Sequence, residues 1–185
     1  NLDNKIFDII IIAVNKKHKE KYLKNIKSNF KEHNIVFSPS GNSRQLSTFN
    51  SLKLLYKYSP KNVLIHDSAR PLATNELIKR ILTNLKKNIS CIPFISHNDL
   101  IKTKKSNIIK NNKIINIQTP QGFNFKKIYL AHKLTNIISA KDDSTIFENY
   151  FKKINLKMIN GEISNIKITK KQELDFFKKF KNKEF

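Results

Sequence analysis

The sequence is poor in several kinds of residue, and each shortage excludes a class of protein. Cys91 is its only cysteine, so a disulfide within the chain is excluded and a buried, inert thiol is expected. No apolar run is long enough to span a bilayer, and no signal-peptide pattern is present. Together these shortages predict a protein of the bacterial cytoplasm or of an organelle stroma.

Acidic residues are also few, since 14 Asp and Glu stand against 36 Lys and Arg, and the formal net charge is +22. Such a charge suggests a polyanionic partner, and a basic nucleic-acid-binding module is one hypothesis. That hypothesis requires lysines on one face with interleaved aromatic residues, whereas here the lysines are spread over every segment. Lys, Asn and Ile are also the residues that AT-rich coding favours. We therefore interpret most of the charge as solvated surface, part of which can attract phosphorylated substrates.

Apolar runs and helically spaced apolar residues alternate along the chain. Short apolar runs predict strands at 6–14, 35–37, 63–66, 89–95, 156–159 and 165–169. Apolar residues three and four positions apart predict helices at about 16–32, 43–58, 74–87, 125–138, 144–151 and 170–180. The alternation over the first half predicts an α/β fold with a doubly wound, mostly parallel sheet. We expect one domain, because 185 residues can bury a single core.

Residues 97–117 break this alternation and predict a protruding β-hairpin arm. Two short apolar pieces, 108–109 and 114–117, flank Asn111 and Asn112, which are typical turn residues. An arm of this kind suits contact with a second subunit, so a homodimer through residues 97–117 is expected.

The strongest signal for a functional site is the stretch Val63–Leu72. Its apolar run ends abruptly in His66 and Asp67, and Arg70 follows. Open α/β sheets bind ligands at the carboxyl ends of their strands, where an aspartate can hold a divalent metal and an arginine can bind phosphate. A salt-bridged loop turned by Pro71 is an equally good interpretation of these residues alone.

Two other patterns suggest ligand contacts and also have plain structural explanations. Gly41-Asn42-Ser43-Arg44, with Ser47, lies where a loop enters a helix, a place suited to binding an anion. An ordinary capped helix explains the same residues. Thr119-Pro120-Gln121-Gly122-Phe123 brings a hydroxyl and an amide close to the arm, but it can equally be a tight turn.

Three charged residues complete the set. Asp142 and Asp143 precede Ser144 and Thr145, as either a second acidic point or a helix N-cap. Lys167 is the charged residue of the apolar run Asn165–Thr169, and a solvated lysine of an edge strand is its ordinary interpretation.

Taken together, these motifs resemble one enzyme family in their order and spacing. This is the 2-C-methyl-D-erythritol 4-phosphate cytidylyltransferase family of the non-mevalonate isoprenoid pathway, to which the motifs are similar. The similarity runs from about Ile6 to the C-terminus. Its specific elements are His-Asp-x-Ala-Arg-Pro and Thr-Pro-Gln, and Asn-Ile-Lys-Ile-Thr supports them.

The resemblance implies a Rossmann-like nucleotidyltransferase fold, a reaction and a cofactor. The phosphate of 2-C-methyl-D-erythritol 4-phosphate attacks the α-phosphorus of CTP, which gives 4-diphosphocytidyl-2-C-methyl-D-erythritol and pyrophosphate. The nucleophile is already an anion, so catalysis consists of positioning and charge neutralisation. A divalent metal, Mg²⁺, is the implied cofactor, and CTP and a polyol phosphate are the implied partners.

The resemblance also assigns roles to individual residues. It implies Lys167, Asp67 and Arg70 as catalytic residues, with Asp67 as the metal ligand and Lys167 neutralising phosphate charge. Asp67, Arg70, Thr119 and Lys167 are implied to bind the polyol phosphate acceptor. The implied CTP-binding residues are Gly41, Asn42, Arg44, Ser47 and Ser68.

Several positions depart from the family pattern. The family's first strand, Gly-rich arginine loop and Pro-Lys-Gln element are missing, roughly 45 residues for one βα unit. We therefore expect residues 1–185 alone to have little or no activity. Asn42 replaces an aspartate, Leu100 and Lys141 replace threonines, and Asn111 replaces the arm's arginine. These changes leave open a divergent orthologue or a different polyol phosphate as acceptor. Ribitol 5-phosphate is the nearest alternative, although Ala69 favours the isoprenoid enzyme.

Overall fold

The structure is a computed structural model, and it describes residues 6–30, 33–96, 101–102, 108–109, 114–137, 140–152 and 154–181. Its strands are β1 (Ile10–Val14), β2 (Ile35–Pro39), β3 (Asn62–Ile65), β4 (Ser90–Ser96), β5 (Ile101–Lys102), β6 (Ile108–Ile109), β7 (Ile115–Ile117), β8 (Gln121–Asn124) and β9 (Met158–Asn160). Its α-helices are α1 (Lys19–Asn29), α2 (Arg44–Leu55), α3 (Asn75–Leu85), α4 (Phe125–Leu134), α5 (Asp143–Tyr150) and α6 (Lys171–Lys181). Within these ranges, no helix combines the length and the apolarity that crossing a membrane requires.

The strands form an α/β fold, which confirms the predicted class. β1 and β2 pair in parallel, and α2 packs against both of them. In the larger sheet the order is β3-β8-β4-β7, and β9 pairs with β4. β9 runs parallel to β4, whereas β7 and β8 run antiparallel to it. The larger sheet is therefore mixed, which corrects the prediction of a mostly parallel sheet, because β8 lies between β3 and β4 and runs antiparallel to both.

Sequence reasoning missed β8 and placed a strand where none forms. Residues 119–123 were predicted as a turn, but Gln121–Asn124 form a strand that pairs antiparallel with both β3 and β4. Gly122 permits it to lie under α3, because a Cβ there would meet Ile81 Cγ2 at 2.5 Å and Leu85 Cδ1 at 2.8 Å. Asn165–Thr169 was predicted as a strand and forms none. Its backbone groups bond to neighbouring loops, as the Ile168 N–H does to the Ala69 carbonyl, and not to an adjacent strand.

The core lies between the larger sheet and the helices on its two faces. On one side α3 buries Leu77, Ile81 and Leu85, three residues at helical spacing, against the sheet. On the other, α4 and α5 bury their apolar faces with Phe123 of β8. Burying such side chains contributes about 1.5–3 kcal/mol each. The sheet is thereby fixed, and the loops at the strand ends are placed relative to one another.

The predicted arm is only partly covered by the described residues, and its strands pair differently from the expectation. β6 pairs antiparallel with β5, and β7 pairs with Phe94–Ser96 of β4. The prediction that residues 108–109 pair with 114–117 is therefore wrong. β7 instead extends the edge of β4, where Ile117 packs against the core. Asn111, Asn112 and Leu100 lie outside the described residues.

Candidate active site

Asp67 is held between two cationic side chains just beyond the end of β3. Its Oδ1 accepts a hydrogen bond from Arg44 Nε at 2.9 Å, and its Oδ2 accepts one from Lys167 Nζ at 2.8 Å. The two partners come from the start of α2 and from the loop after β9, which are distant in sequence. The structure thus brings together three residues that the sequence motifs singled out separately.

Arg44 owes its position to a well-formed helix start. Ser43 caps α2 by accepting a hydrogen bond from Leu46 N at 3.1 Å, and the Gly41 N–H donates to Ser47 Oγ at 2.9 Å. A Cβ at Gly41 would collide with the side chain of Leu46, so this close approach requires glycine. Both interpretations of the motif therefore apply: the helix is capped, and its first residue reaches the site.

A second carboxylate binds the other side of the Arg44 guanidinium. Arg44 Nη2 lies 2.7 Å from Asp143 Oδ2, and Asp143 is fully buried. Asp143 Oδ1 also lies 3.0 Å from Nε2 of the buried His132 on α4. Burial alone would lower the pKa of Arg44, but the charges of Asp143 and Asp67 outweigh it and raise that pKa above its ordinary value. Arg44 is therefore a permanent cation that joins the two carboxylates.

The adjacent Asp142 serves as a helix cap, so the two aspartates have different roles. Its Oδ1 accepts from the backbone N–H of Thr145 at 3.0 Å, and its Oδ2 accepts from Ser144 Oγ at 2.7 Å. Burial would raise its pKa, but these hydrogen bonds and one from Gln121 hold the pKa below its ordinary value. Lys141, a position that departs from the family pattern, precedes this pair and is exposed.

Lys167 is placed by hydrogen bonds between its own loop and the turn that follows Asp67. Arg70 Nη1 donates to the carbonyl of Asn165 at 2.7 Å, and Nη2 donates to that of Ile117 at 3.3 Å. The Ile168 N–H donates to the Ala69 carbonyl at 2.8 Å. Burial outweighs the charge of Asp67 and lowers the pKa of Arg70. The guanidinium of Arg70 therefore fastens together the two loops that carry Asp67 and Lys167.

Thr119 supports Asp67 from the segment between β7 and β8. Its Oγ1 accepts a hydrogen bond from the Asp67 N–H at 3.0 Å and lies 3.0 Å from Nδ1 of His66. Asn165 Nδ2 donates to the Thr119 carbonyl at 2.8 Å. Desolvation lowers the pKa of His66, although part of its side chain faces solvent.

The ionisation of Asp67 follows from its neighbours. Partial burial would raise its pKa, but the hydrogen bond from Lys167 and the charge of Arg44 outweigh burial and lower the pKa below its ordinary value. Asp67 is therefore an anion at neutral pH. Lys167 is 41% exposed and Asp67 is 14% exposed, so a phosphate can approach the ammonium from solvent.

The other predicted residues take positions around this cluster. Ser68 is exposed in the turn next to Asp67, and Asn42 is exposed just before α2. Sequence reasoning missed three supporting residues. His132 contacts Asp143, and Gln118 bonds to the backbone of Glu162 and to the carbonyl of Asn165 in the loop that carries Lys167. His132 was visible only as a polar residue on the inner face of a predicted helix. Gln118 and Glu162 carried no recognisable signal, because their role depends on two loops that meet only in the fold.

Open α/β sheets bind their ligands at the carboxyl ends of the strands, and the arginine and lysine side chains at this strand end are suited to phosphorylated ligands. The fold and the site together fit a nucleotidyltransferase. The family model for IspD, 2-C-methyl-D-erythritol 4-phosphate cytidylyltransferase, matches residues 1–179. The chain therefore belongs to the 2-C-methyl-D-erythritol 4-phosphate cytidylyltransferase family.

Individual proteins that are similar to this chain belong to the same family. A bifunctional IspD/IspF enzyme of Pelagibacter ubique is 41% identical over 175 residues, which cover 92% of this chain and 44% of the relative. The 2-C-methyl-D-erythritol 4-phosphate cytidylyltransferase of Clostridium tetani is 34% identical over 95% of this chain and 74% of its own length. The crystal structure of 4-diphosphocytidyl-2C-methyl-D-erythritol synthase from Anaerococcus prevotii superposes with a TM-score of 0.85 at 32% identity, over 97% of this chain and 84% of that one. The chain spans less than half the length of the bifunctional relatives.

Proposed function

We propose that this protein transfers the cytidylyl group of CTP to 2-C-methyl-D-erythritol 4-phosphate. A phosphate oxygen of the acceptor forms a bond to the α-phosphorus of CTP. The bond from that phosphorus to the oxygen bridging to the β-phosphorus breaks, and pyrophosphate leaves with the electron pair. The products are 4-diphosphocytidyl-2-C-methyl-D-erythritol and pyrophosphate. Family membership supports this reaction, and the residues at the end of β3 supply the chemistry it needs.

The observation that carries the proposal is the position of Asp67 between Arg44 and Lys167, at 2.9 and 2.8 Å. Two phosphorylated substrates repel each other, so the site must offset negative charge where they meet. Lys167 offers an exposed ammonium for this purpose, and Arg44 stays charged at any working pH. Donors that are already in place need no rearrangement when charge develops, which is why such groups contribute strongly to catalysis.

We assign the individual steps as follows. The acceptor phosphate is ionised at neutral pH and needs no general base. Lys167 binds the phosphate oxygens that gain charge as the substrates join. The start of α2, next to Asn42 and Ser47, binds the nucleotide side through the positive end of the helix dipole. Ser68, exposed beside Asp67, lies where it can contact the same nucleotide. Arg70 keeps the two reacting sides at a fixed separation through its bonds to Asn165 and Ile117.

Mg²⁺ fits this site as part of a metal–triphosphate complex. Among the described residues, no group of three or more acidic, His or Cys side chains could hold a metal ion by itself. Asp67 is an ionised carboxylate, and each of its oxygens keeps a lone pair beyond the one that Arg44 or Lys167 occupies. Mg²⁺ commonly takes one or two carboxylates together with substrate phosphates and water. Asp67 would be the chain's ligand, and the bound metal would neutralise triphosphate charge.

The acceptor and the assembly follow from the same proposal. The C. tetani relative is named for 2-C-methyl-D-erythritol 4-phosphate, which favours that acceptor over ribitol 5-phosphate. A homodimer through residues 97–117 and a cytoplasmic location remain predictions. Most of the arm lies outside the described residues.

The test is a CTP-dependent pyrophosphate-release assay with the product of the complete gene. It compares 2-C-methyl-D-erythritol 4-phosphate, ribitol 5-phosphate and no acceptor, each with and without Mg²⁺. We expect Mg²⁺-dependent release with the first acceptor only. A higher kcat/KM for ribitol 5-phosphate would overturn the proposed acceptor. Pyrophosphate release at the same rate with and without either acceptor would overturn the proposed reaction.

A further inference from the structure

When His66 is neutral, the hydrogen bonds around its ring have only one consistent direction. His66 Nε2 lies 3.0 Å from the carbonyl oxygen of Arg70, and a carbonyl oxygen can only accept. Nε2 must therefore carry a hydrogen. In the neutral imidazole the other nitrogen, Nδ1, is then an acceptor, and it lies 3.0 Å from Thr119 Oγ1. The hydroxyl of Thr119 consequently donates to His66.

This direction decides what Thr119 can do for Asp67. The Asp67 N–H points at Thr119 Oγ1 at 3.0 Å, so the oxygen of Thr119 accepts from it. The hydroxyl's only hydrogen is already donated to His66, and it cannot also bind a phosphate. The chain of bonds runs from the Asp67 N–H through Thr119 and His66 to the Arg70 carbonyl, and so closes around the turn of residues 67–70.

We propose that His66 is a positioning residue, which takes the hydroxyl hydrogen of Thr119 and thereby fixes Thr119 as the acceptor that holds the backbone of Asp67. Asp67 must face Arg44 on one side and Lys167 on the other, so its backbone orientation matters for both ion pairs. Thr119 then acts on the reaction through Asp67 and not through a direct bond to the acceptor phosphate. This inference builds on the proposed function for its kinetic consequences, while the tautomer of His66 stands independently of it.

The tautomer can be measured without any assay of activity. The two ring nitrogens of a neutral histidine differ strongly in ¹⁵N chemical shift, and two-bond ¹H–¹⁵N spectra of the labelled chain at neutral pH identify the protonated one. The signals of His66 are those that vanish in His66→Asn. We expect hydrogen on Nε2 and a free Nδ1. Hydrogen on Nδ1, or rapid exchange between the two forms, would overturn the proposal.

Kinetics of matched variants then separate positioning from substrate binding. Thr119→Ser keeps the hydroxyl, whereas Thr119→Val removes it at nearly the same volume. His66→Asn offers an amide oxygen near the place of Nδ1, whereas His66→Leu offers no acceptor. Partners behind a ligating side chain typically change activity about 10- to 100-fold. We expect a loss of that size in kcat for Thr119→Val and His66→Leu, with KM for the acceptor nearly unchanged, and rescue by Thr119→Ser and His66→Asn.

The opposite pattern would refute the role. If Thr119→Val raised KM for the acceptor and left kcat unchanged, Thr119 would bind substrate directly. If His66→Leu matched the unmodified protein in both constants, His66 would have no part in the reaction. Should the unmodified product of the complete gene show no CTP-dependent activity at all, the proposed function fails, and the NMR result still decides the tautomer.

Discussion

Asp67 and Lys167 form an ion pair at 2.8 Å, although 100 positions separate them in the chain. The backbone holds the pair together, because Ile168 N–H donates to the Ala69 carbonyl and Arg70 donates to the Asn165 carbonyl. The loop that carries Lys167 is thus attached to the turn that carries Asp67. The fold therefore sets the separation of the two backbone segments from which the side chains of Asp67 and Lys167 extend.

The pair of Arg44 and Asp143 predicts a large coupling in stability. Asp143 is fully buried, so Arg44→Met leaves a buried carboxylate without its cation. Removing one partner of such a pair typically costs about 3–5 kcal/mol, whereas removing both costs less. In urea unfolding we expect Arg44→Met and Asp143→Asn each to be destabilised strongly, and the double variant to be less destabilised than their sum. Simple additivity of the two losses would show that the pair is not coupled.

Substitutions at two glycines distinguish an effect on the active site from an effect on the stability of the core. Gln118 accepts from Glu162 N–H at 3.0 Å and donates to the Asn165 carbonyl at 3.2 Å, and a Cβ at Gly161 would push it away. Gly161→Ala should therefore displace the Lys167 loop and lower kcat even at a temperature where the variant is folded. Gly122→Ala serves as the comparison, because its Cβ would meet Ile81 and Leu85 in the core.

For Gly122→Ala we expect a loss of about 1–3 kcal/mol in unfolding free energy, the usual result of overpacking, with kcat little changed at a temperature where the variant is folded. Thermal unfolding and steady-state rates of both variants check the pair of expectations. The reverse assignment, with Gly161→Ala unstable but fully active, would show that Gln118 does not position the loop.

Asp142 predicts a contribution to stability that is lost in acid. Hydrogen bonds to its carboxylate hold its folded pKa below the ordinary 3.8. The unfolded chain then binds protons before the folded chain does, so stability falls as pH drops from 3.8 through the folded pKa. Asp142→Asn retains a good helix cap but cannot titrate there. The difference in urea midpoint between the two proteins should shrink over this acid range, and a constant difference would contradict the assigned pKa direction.

Local signals were sufficient for some parts of this molecule and insufficient for others. The helices α2, α3, α5 and α6 and the strands β1 to β4 follow from apolar spacing and from caps such as Ser43 and Thr74. The Asp67 turn was also found, because an apolar strand ending in charged residues is a local pattern. Strand β8 was missed because Gln121–Asn124 has one glycine and no β-branched residue, and its pairing partners are distant in sequence.

The supporting residues of the site could not be predicted from the sequence either, because their partners are also distant in the chain. The pairing of Asp143 with Arg44 joins residues 99 positions apart, and nothing near either residue indicates the other. The opposite error was made at Asn165–Thr169, where alternating apolar residues suggested a strand. Arg70 and Gln118 bind the carbonyl of Asn165 there, so contacts between loops take the place of a strand ladder.

The most direct test of the site is the rate of 4-diphosphocytidyl-2-C-methyl-D-erythritol synthesis by Lys167→Met in the product of the complete gene. Lys79→Met is the matched control, since Lys79 is an exposed lysine on α3 away from Asp67. Losing one donor that stabilises developing charge typically costs about 10²- to 10³-fold in kcat. We expect a loss of that size for Lys167→Met and none for Lys79→Met, with both variants folded as judged by circular dichroism. An unchanged kcat for Lys167→Met would contradict the assignment of this site to the reaction.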